Sequence, residues 1–371
     1  MDLREFIDRL GKDGHLKRVE RQVDWQFELG EITRTTRIPL LFENIKDYPG
    51  QRVFVNGMSG ISSMGIALGL GPVRRWRTLI TAVRQKVKQP IKPRAVINGP
   101  VLQNVLAGPQ IDFLQFAIPR WSKEDGGRYL GTWHINVSKD VKTGARNVGV
   151  YRMEVLGPNL ASISTSPNSH LGRHMASAEK AGKPLEMAVA IGVGEALIMA
   201  AAAGIPYGAD EYELAGSLQE RSVELVKCAT VDLEVPADAE IAIEGIVKPG
   251  VRVSDGPYFD YVGASNTNPQ AFLFEAKRLM FRNNPIFRGT AVGMAGAEDQ
   301  QIFAVLARLG LFDFHGSRAK HLLQAELLKR RLFRMFQLVG SIGWKTLTGG
   351  KRAPTRPSLP AASYPMKPAK S

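Results

Sequence analysis

Apolar positions first recur at helical spacing close to the N-terminus, where Leu3, Phe6, Ile7 and Leu10 fall on one face of a short helix. Asp2 and Glu5 bracket its first turn as a capping box, and Gly11 and Gly14 close it. The pattern then shortens. Residues 16–23, 40–44 and 53–57 read as strands around a helix at 27–36, an alternation that predicts a small α/β layer. A stretch at 74–87 carries basic residues and no acid, which suits a solvated helix face. From 132 onward the runs alternate or turn apolar at 132–137, 148–155 and 161–164, with turns at Lys142-Thr143-Gly144 and Gly157-Pro158-Asn159. Such a meander predicts an antiparallel barrel.

The segment from Ser164 to His170 opens a helix that runs to about Lys180, and its free amides offer a place for an anion. Residues 187–206 are apolar apart from Glu195, yet three glycines and that central carboxylate argue against a membrane span. They read instead as a buried strand at 187–191 and an alanine-rich helix at 195–203. Further elements are a helix at 210–218, strands at 223–228 and 241–247 around a turn at Val235-Pro236-Ala237-Asp238, and strands at 271–281 and 285–290. Helices at 302–311 and 318–338 precede a Pro-, Lys- and Ser-rich end expected to be disordered.

Composition narrows the class. The chain has 371 residues, 44% hydrophobic and 23% charged, as a folded protein of two or three domains would. Its one cysteine, Cys228, excludes an intrachain disulfide and a cysteine-based zinc cluster, and its apolar strand suits a buried thiol. The net charge of +14 suggests nucleic acid until it is located. Residues 314–371 hold 12 Lys and Arg against the single acid Glu326, while the remainder has 37 basic against 34 acidic residues. Nucleic acid is therefore not an expected partner. Charges interrupt every apolar step of the N-terminus, so no signal peptide is read there and cytoplasm is the expected location.

The candidate chemistry centres on Asp255-Gly256-Pro257-Tyr258-Phe259-Asp260, where a Gly-Pro kink carries a carboxylate on each side. A kink can turn both acids toward one space, which suits proton transfer, although solvated turn acids would look the same. Two glycines among charges at 124–129 mark a turn where backbone closely approaches something.

Several motifs in order carry a resemblance. KCATVDLEVPADAEIAIEG at 227–245, followed by DGPYFDYVG at 255–263, resembles the signature region of the UbiD family of prenylated-FMN-dependent decarboxylases. RNVGVYR at 146–152, DEYELAG at 210–216 and the opening with LLFENIKDYPG are similar to further parts of that family. The resemblance, which covers about residues 1–300, implies an α+β fold with an N-terminal α/β domain (1–115) and a split β-barrel flavin-binding domain (116–300). The residue pattern adds a helical segment (301–340) and a disordered basic tail (341–371). The resemblance also implies Asn147, His170 and Glu211 as ligands of Mn2+ or Mg2+ on the flavin phosphate, with K+ as a further ion. Val150, Tyr151, Arg152 and Ser169 join those three as cofactor-binding residues. Arg152, Asp255 and Asp260 would form the catalytic network, with Asp255 as proton donor.

Two residues depart from the family pattern: Asp255 stands where glutamate is usual and Phe259 where glycine is usual. His174, one helical turn after His170, competes with it for the metal. In an ideal strand Asn147 and Arg152 point to opposite faces, so both can serve one site only if a bulge near Gly149 or the strand twist intervenes. The implied activity is reversible, non-oxidative decarboxylation of an aromatic or α,β-unsaturated carboxylic acid by a homo-oligomer, with a flavin prenyltransferase supplying the cofactor. The alternative is a catalytically impaired subunit or scaffold lacking the family's usual C-terminal domain. Residues 318–338 form an amphipathic basic helix, expected to pack on protein because the apolar 302–311 needs covering, with peripheral membrane contact as the other reading. Truncation at Gly316 should accordingly give a protein that aggregates without lipid, read by light scattering; a soluble, folded truncation that loses only liposome binding would favour the membrane.

Overall fold

Residues 1–311, apart from 262, 294 and 295, are described by a computed structural model. All of them fall in the first of two units, Met1–Asp313 and Phe314–Ser371. The helix expected at 318–338 and the tail at 341–371 lie outside the described residues.

The capping box at the N-terminus forms as read. Asp2 accepts the Glu5 N–H at 2.7 Å, and the Glu5 carboxylate accepts the Asp2 N–H at 2.9 Å. The helix Leu3–Lys12 buries Leu3, Phe6, Ile7 and Leu10, each worth about 1.5–3 kcal/mol. Beside it a four-stranded sheet runs in the order Lys17–Val19, Leu40–Phe42, Arg52–Val55, Ile286–Arg288. The strand expected over 16–23 contracts to Lys17–Val19, because it pairs only with the three residues Leu40–Phe42. The sheet is completed from far along the chain, since Ile286–Arg288 lies parallel to Arg52–Val55. Conversely, Asn104–Ala107 pairs with Ser265–Phe281 of the larger sheet. The boundary expected at 115/116 is thus crossed in both directions by strand pairing.

The large sheet has nine strands. Eight follow the order Tyr129–Gly131, Met153–Gly157, Leu160–Ile163, Ser265–Phe281, Ile241–Phe259, Leu185–Ile191, His134–Lys139, Arg146–Gly149. The run expected as one strand over 148–155 is broken. Its first half, Arg146–Gly149, is the last strand in this order and its second half, Met153–Gly157, the second. In a flat sheet, six strand spacings would separate them by about 29 Å. Four Cα steps, from Gly149 to Met153, reach at most about 14 Å. The sheet must therefore curl until its two ends nearly meet, with residues 150–152 bridging the gap. Register shifts along Ile241–Phe259 and Ser265–Phe281 supply the bending. The result is a mixed α+β fold with an N-terminal layer and a curled half-barrel.

Two other expectations change. The turn read at 235–238 is partly the strand Glu234–Pro236, which pairs with Glu224–Lys227. Pro236 is tolerated because Glu234–Pro236 is an edge strand of its three-stranded sheet and needs no outer N–H partner. The Gly-Pro step at 256–257 shifts the strand register without ending the strand, which continues to Phe259.

The apolar run around Glu195 proves to be a charge centre. Glu195 accepts from Trp133 Nε1 at 2.8 Å and from Arg288 Nε at 2.8 Å, and Arg288 also holds Glu298 at 2.6 Å and 3.0 Å. Glu298 in turn accepts the Asn56 and Met58 N–H groups, both at 3.0 Å. Burial raises the Glu195 carboxyl, against the pull of Arg288. Burial alone would lower the Arg288 guanidinium, but the two carboxylates outweigh it and hold it up. Among the described residues no helix is long and apolar enough to cross a membrane. Arg288→Ala should leave two uncompensated buried carboxylates and cost about 3–5 kcal/mol in urea unfolding; a loss below about 1 kcal/mol would show that the network is not needed.

Candidate active site

Residues 150–152 at the barrel's gap carry side chains into two polar clusters. Their main chain is pinned by the neighbouring strand His134–Lys139: Asn136 Oδ1 accepts the Tyr151 N–H at 3.1 Å, and His134 Nε2 lies 2.9 Å from the Tyr151 carbonyl. His134 is buried, and burial lowers its pKa to about 4, so the neutral ring donates to that carbonyl. Gly149 is required at the turn, since a Cβ there would sit 2.5 Å from the Tyr151 ring.

On one side Arg152 lies between two acids. Its Nε donates to Asp255 Oδ1 at 2.6 Å and its Nη1 to Asp260 Oδ2 at 3.1 Å. Asp255 is wholly buried, and its second oxygen accepts the Ser162 hydroxyl at 2.6 Å. Asp260 also accepts the Asn266 amide at 2.9 Å and the Tyr261 N–H at 2.6 Å. The Gly-Pro register shift thus brings both carboxylates to one guanidinium. The two-glycine turn clasps this segment: Gly126 N–H donates to the Pro257 carbonyl at 2.7 Å, and Asp125 accepts the Phe259 N–H at 3.1 Å. A Cβ on Gly126 would meet the Gly256 carbonyl at 2.6 Å, which explains the glycine there.

Glu154 is a third carboxylate that the sequence reading missed. It accepts the Gly256 N–H at 2.7 Å and the Tyr129 hydroxyl at 3.4 Å. Burial first, and the Asp255 charge after it, push its pKa up. Ser162, Asn266 and Tyr129 were missed as well. Their spacing carries no motif; for Glu154 and Ser162 the only signal was alternation along the hairpin of Met153–Gly157 and Leu160–Ile163.

On the other side the helix His170–Lys180 starts at Ser169, whose hydroxyl accepts the Gly172 N–H at 2.9 Å. His170 Nδ1 lies 3.9 Å from Glu211 Oε1, and Glu211 Oε2 accepts the Val148 N–H at 2.9 Å. Burial pushes the Glu211 carboxyl up to about 7 and lowers His170, leaving that ring neutral. His174 is placed differently: its Nδ1 lies 2.9 Å from Ser138 Oγ, deep in the core. Asn147 is buried next to Val148, and its amide nitrogen has no partner among the described residues. The Tyr151 hydroxyl accepts the Leu171 N–H at 3.4 Å; burial raises its pKa, opposed first by that Leu171 N–H. Val150, half-buried, packs against the core. Cys228 is buried and its thiol pKa is pushed up by burial, as suits a structural role.

Among the described residues no three His, Cys, Asp or Glu side chains gather as a metal site. The third donor beside His170 and Glu211 would be an amide. Rotating Asn147 about χ2 exchanges its nitrogen and oxygen, so the unpartnered position can present an oxygen. A carboxylate, an amide oxygen and one neutral imidazole fit a hard divalent cation carrying a phosphate oxygen.

Comparison with known proteins shows the family. Residues 7–83 match the N-terminal domain, and residues 94–295 the Rift-related domain, of 3-octaprenyl-4-hydroxybenzoate carboxy-lyase, UbiD. The chain belongs to the UbiD family. Pyrrole-2-carboxylic acid decarboxylase of Pseudomonas aeruginosa is 32% identical over 329 residues, covering 84% of this chain and 66% of that protein. Phenolic acid decarboxylase of Bacillus subtilis is 28% identical, covering 94% and 75%. The UbiD-class enzyme HmfF of Pelotomaculum thermopropionicum, an evolved dimeric form in complex with prFMN, superposes with a TM-score of 0.76 at 33% identity, covering 82% of this chain and 70% of that one. Vanillic acid decarboxylase of Sedimentibacter hydroxybenzoicus, in closed form, gives 0.79 at 26% identity, covering 82% and 67%. The chain spans 66% of the length of the first curated relative, just under two thirds.

Next to the acid cluster, Asp299 Oδ2 accepts the Gly293 N–H at 3.0 Å, while Oδ1 is buried without a partner among the described residues. Gly293 packs on the Asp260 carbonyl, which a Cβ would meet at 2.2 Å. Burial pushes the Asp299 carboxyl up to about 7 from an ordinary value of 3.8. Between those values the folded protein holds a proton that the unfolded chain releases, so this group lowers stability as pH rises from about 4 to 7. Asp299→Asn should remove that component, making the variant relatively more stable at pH 8 than at pH 4 in urea unfolding. Equal differences at the two pH values would refute it.

Proposed function

We propose that this chain catalyses reversible, non-oxidative decarboxylation of an aromatic or α,β-unsaturated carboxylic acid with prenylated FMN. The observation that carries the reading is Arg152 bonded to both Asp255 and Asp260, next to Tyr151, with His170 and Glu211 3.9 Å apart and Glu211 bonded to the Val148 N–H. Relatives that are pyrrole-2-carboxylic acid and phenolic acid decarboxylases support the reaction class, and the prFMN in the HmfF structure supports the cofactor. The prenylated flavin, when bound, supplies the electron sink for decarboxylation that no ordinary side chain offers.

The chain's own residues bind, orient and move a proton. Asn147, His170 and Glu211 would hold Mn2+ or Mg2+ for the cofactor, with Val150, Tyr151 and Ser169 beside them. Arg152 keeps Asp255 aimed and balances its charge, Asp255 carries the proton to the carbon that loses CO2, and Asp260 holds the far side of the guanidinium. A homo-oligomer fits this reading, since HmfF has a dimeric form, and a flavin prenyltransferase would supply the cofactor.

Co-expression with a flavin prenyltransferase tests the cofactor, because purified protein should carry a prenylated-flavin absorbance. On that loaded protein Arg152→Ala should lower turnover by at least about 10²-fold while flavin stays bound, since the arginine acts on protonation. Turnover that survives, or flavin lost together with Arg152, would refute the role given to it.

A further inference from the structure

We propose that Ser162, framed by Glu154, is a positioning residue that holds the Asp255 carboxylate in register with Arg152. The proposal rests on the acid–arginine–acid reading above but concerns residues outside that triad.

An aspartate bonded through one oxygen can still pivot about its Cβ–Cγ bond. Here each oxygen has its own donor: Arg152 Nε on Oδ1 and the Ser162 hydroxyl on Oδ2, both at 2.6 Å. The direction of the Ser162 proton is itself fixed. The Glu154 N–H donates to Ser162 Oγ at 3.1 Å and occupies a lone pair, leaving the hydroxyl proton for Asp255. The Glu154 carboxylate then takes the Gly256 N–H at 2.7 Å, securing the peptide that follows Asp255. One residue therefore grips Asp255 twice, through Ser162 by its main chain and through Gly256 by its side chain. Ser162 and Asp255 are both fully buried, so solvent is not at hand to replace a lost bond. Losing the hydroxyl leaves a buried carboxylate oxygen without its donor, and the carboxylate turns away from Arg152 to find another.

The Arg152 Nε–H reports this directly. In the full-length protein labelled with 15N-arginine, its signal is identified by its absence in Arg152→Lys, and its hydrogen exchange is measured. Ser162→Ala should exchange at least about tenfold faster than wild type, the change expected on losing a hydrogen bond to a charged group. Ser162→Thr, which keeps the hydroxyl, should stay within about threefold of wild type. Ser162→Cys, similar in volume but a weak donor, covers the case in which the alanine variant fails to fold, and it should also exchange faster than the threonine variant. Unchanged exchange in Ser162→Ala, or equal exchange in the cysteine and threonine variants, would overturn the proposal even in an active enzyme. The expected pattern in a loaded wild type that decarboxylates no acid would instead overturn the proposed function and leave the role of Ser162 in place.

Discussion

Three residues span the distance between strands at nearly opposite ends of a nine-stranded sheet, and that constraint shapes both the fold and the site. Arg146–Gly149 pairs with His134–Lys139, while Met153–Gly157 pairs with Leu160–Ile163 and Tyr129–Gly131. The linker reaches only about half of what a flat sheet would require, so curling is obligatory. In the gap that remains, the Tyr151 N–H and carbonyl go to Asn136 and His134, while the Arg152 carbonyl accepts the Ser164 N–H at 3.2 Å.

The N-terminal layer is fixed to this barrel by charge as well as by apolar packing. Arg288 ends a strand of the first sheet and bonds Glu195 from the helix after Leu185–Ile191 and Glu298 from the helix Glu298–Leu309. Phe54 and Trp133 lie 5.1 Å and 4.7 Å from its guanidinium carbon. A buried triad of this kind gains little net energy over a well-packed apolar substitute. Its partners are nevertheless definite, and they specify which segments meet. Helix, strand and loop from 54, 133, 195, 288 and 298 converge on a single planar cation.

The acid cluster shows how a shorter carboxylate can serve. Asp255 stands where the family pattern has glutamate, and the segment carrying it is drawn in by Gly126, Asp125 and Glu154. Asp255, with its single methylene, reaches Arg152 Nε at 2.6 Å. The glycines that permit this approach lie at 126 and 256, where a Cβ would collide with the opposing strand. Phe259, bulky where the family pattern has glycine, has its ring centre 5.7 Å from the Arg34 guanidinium carbon.

The local elements were legible in the chain, because capping, periodicity and turn chemistry act over a few residues. The Asp2–Glu5 box, the helix after Ser169, the strand Leu185–Ile191 and the buried Cys228 all followed from neighbours in sequence. The acids at 255 and 260 could be picked out because a Gly-Pro step between them is unusual, and the motifs around them marked the family. What the sequence could not decide was pairing between distant segments. Nothing near residue 150 says that a run of apolar residues must break, since the break is imposed by which strands neighbour 146–149 and 153–157. Glu154 and Ser162 were invisible for the same reason: their importance comes from Asp255, about a hundred positions away. Burial and charge at Glu211, Glu195 and Arg288 likewise depend on groups brought together only by the fold, and electrostatics in a low-dielectric interior follows spatial distance, not sequence separation.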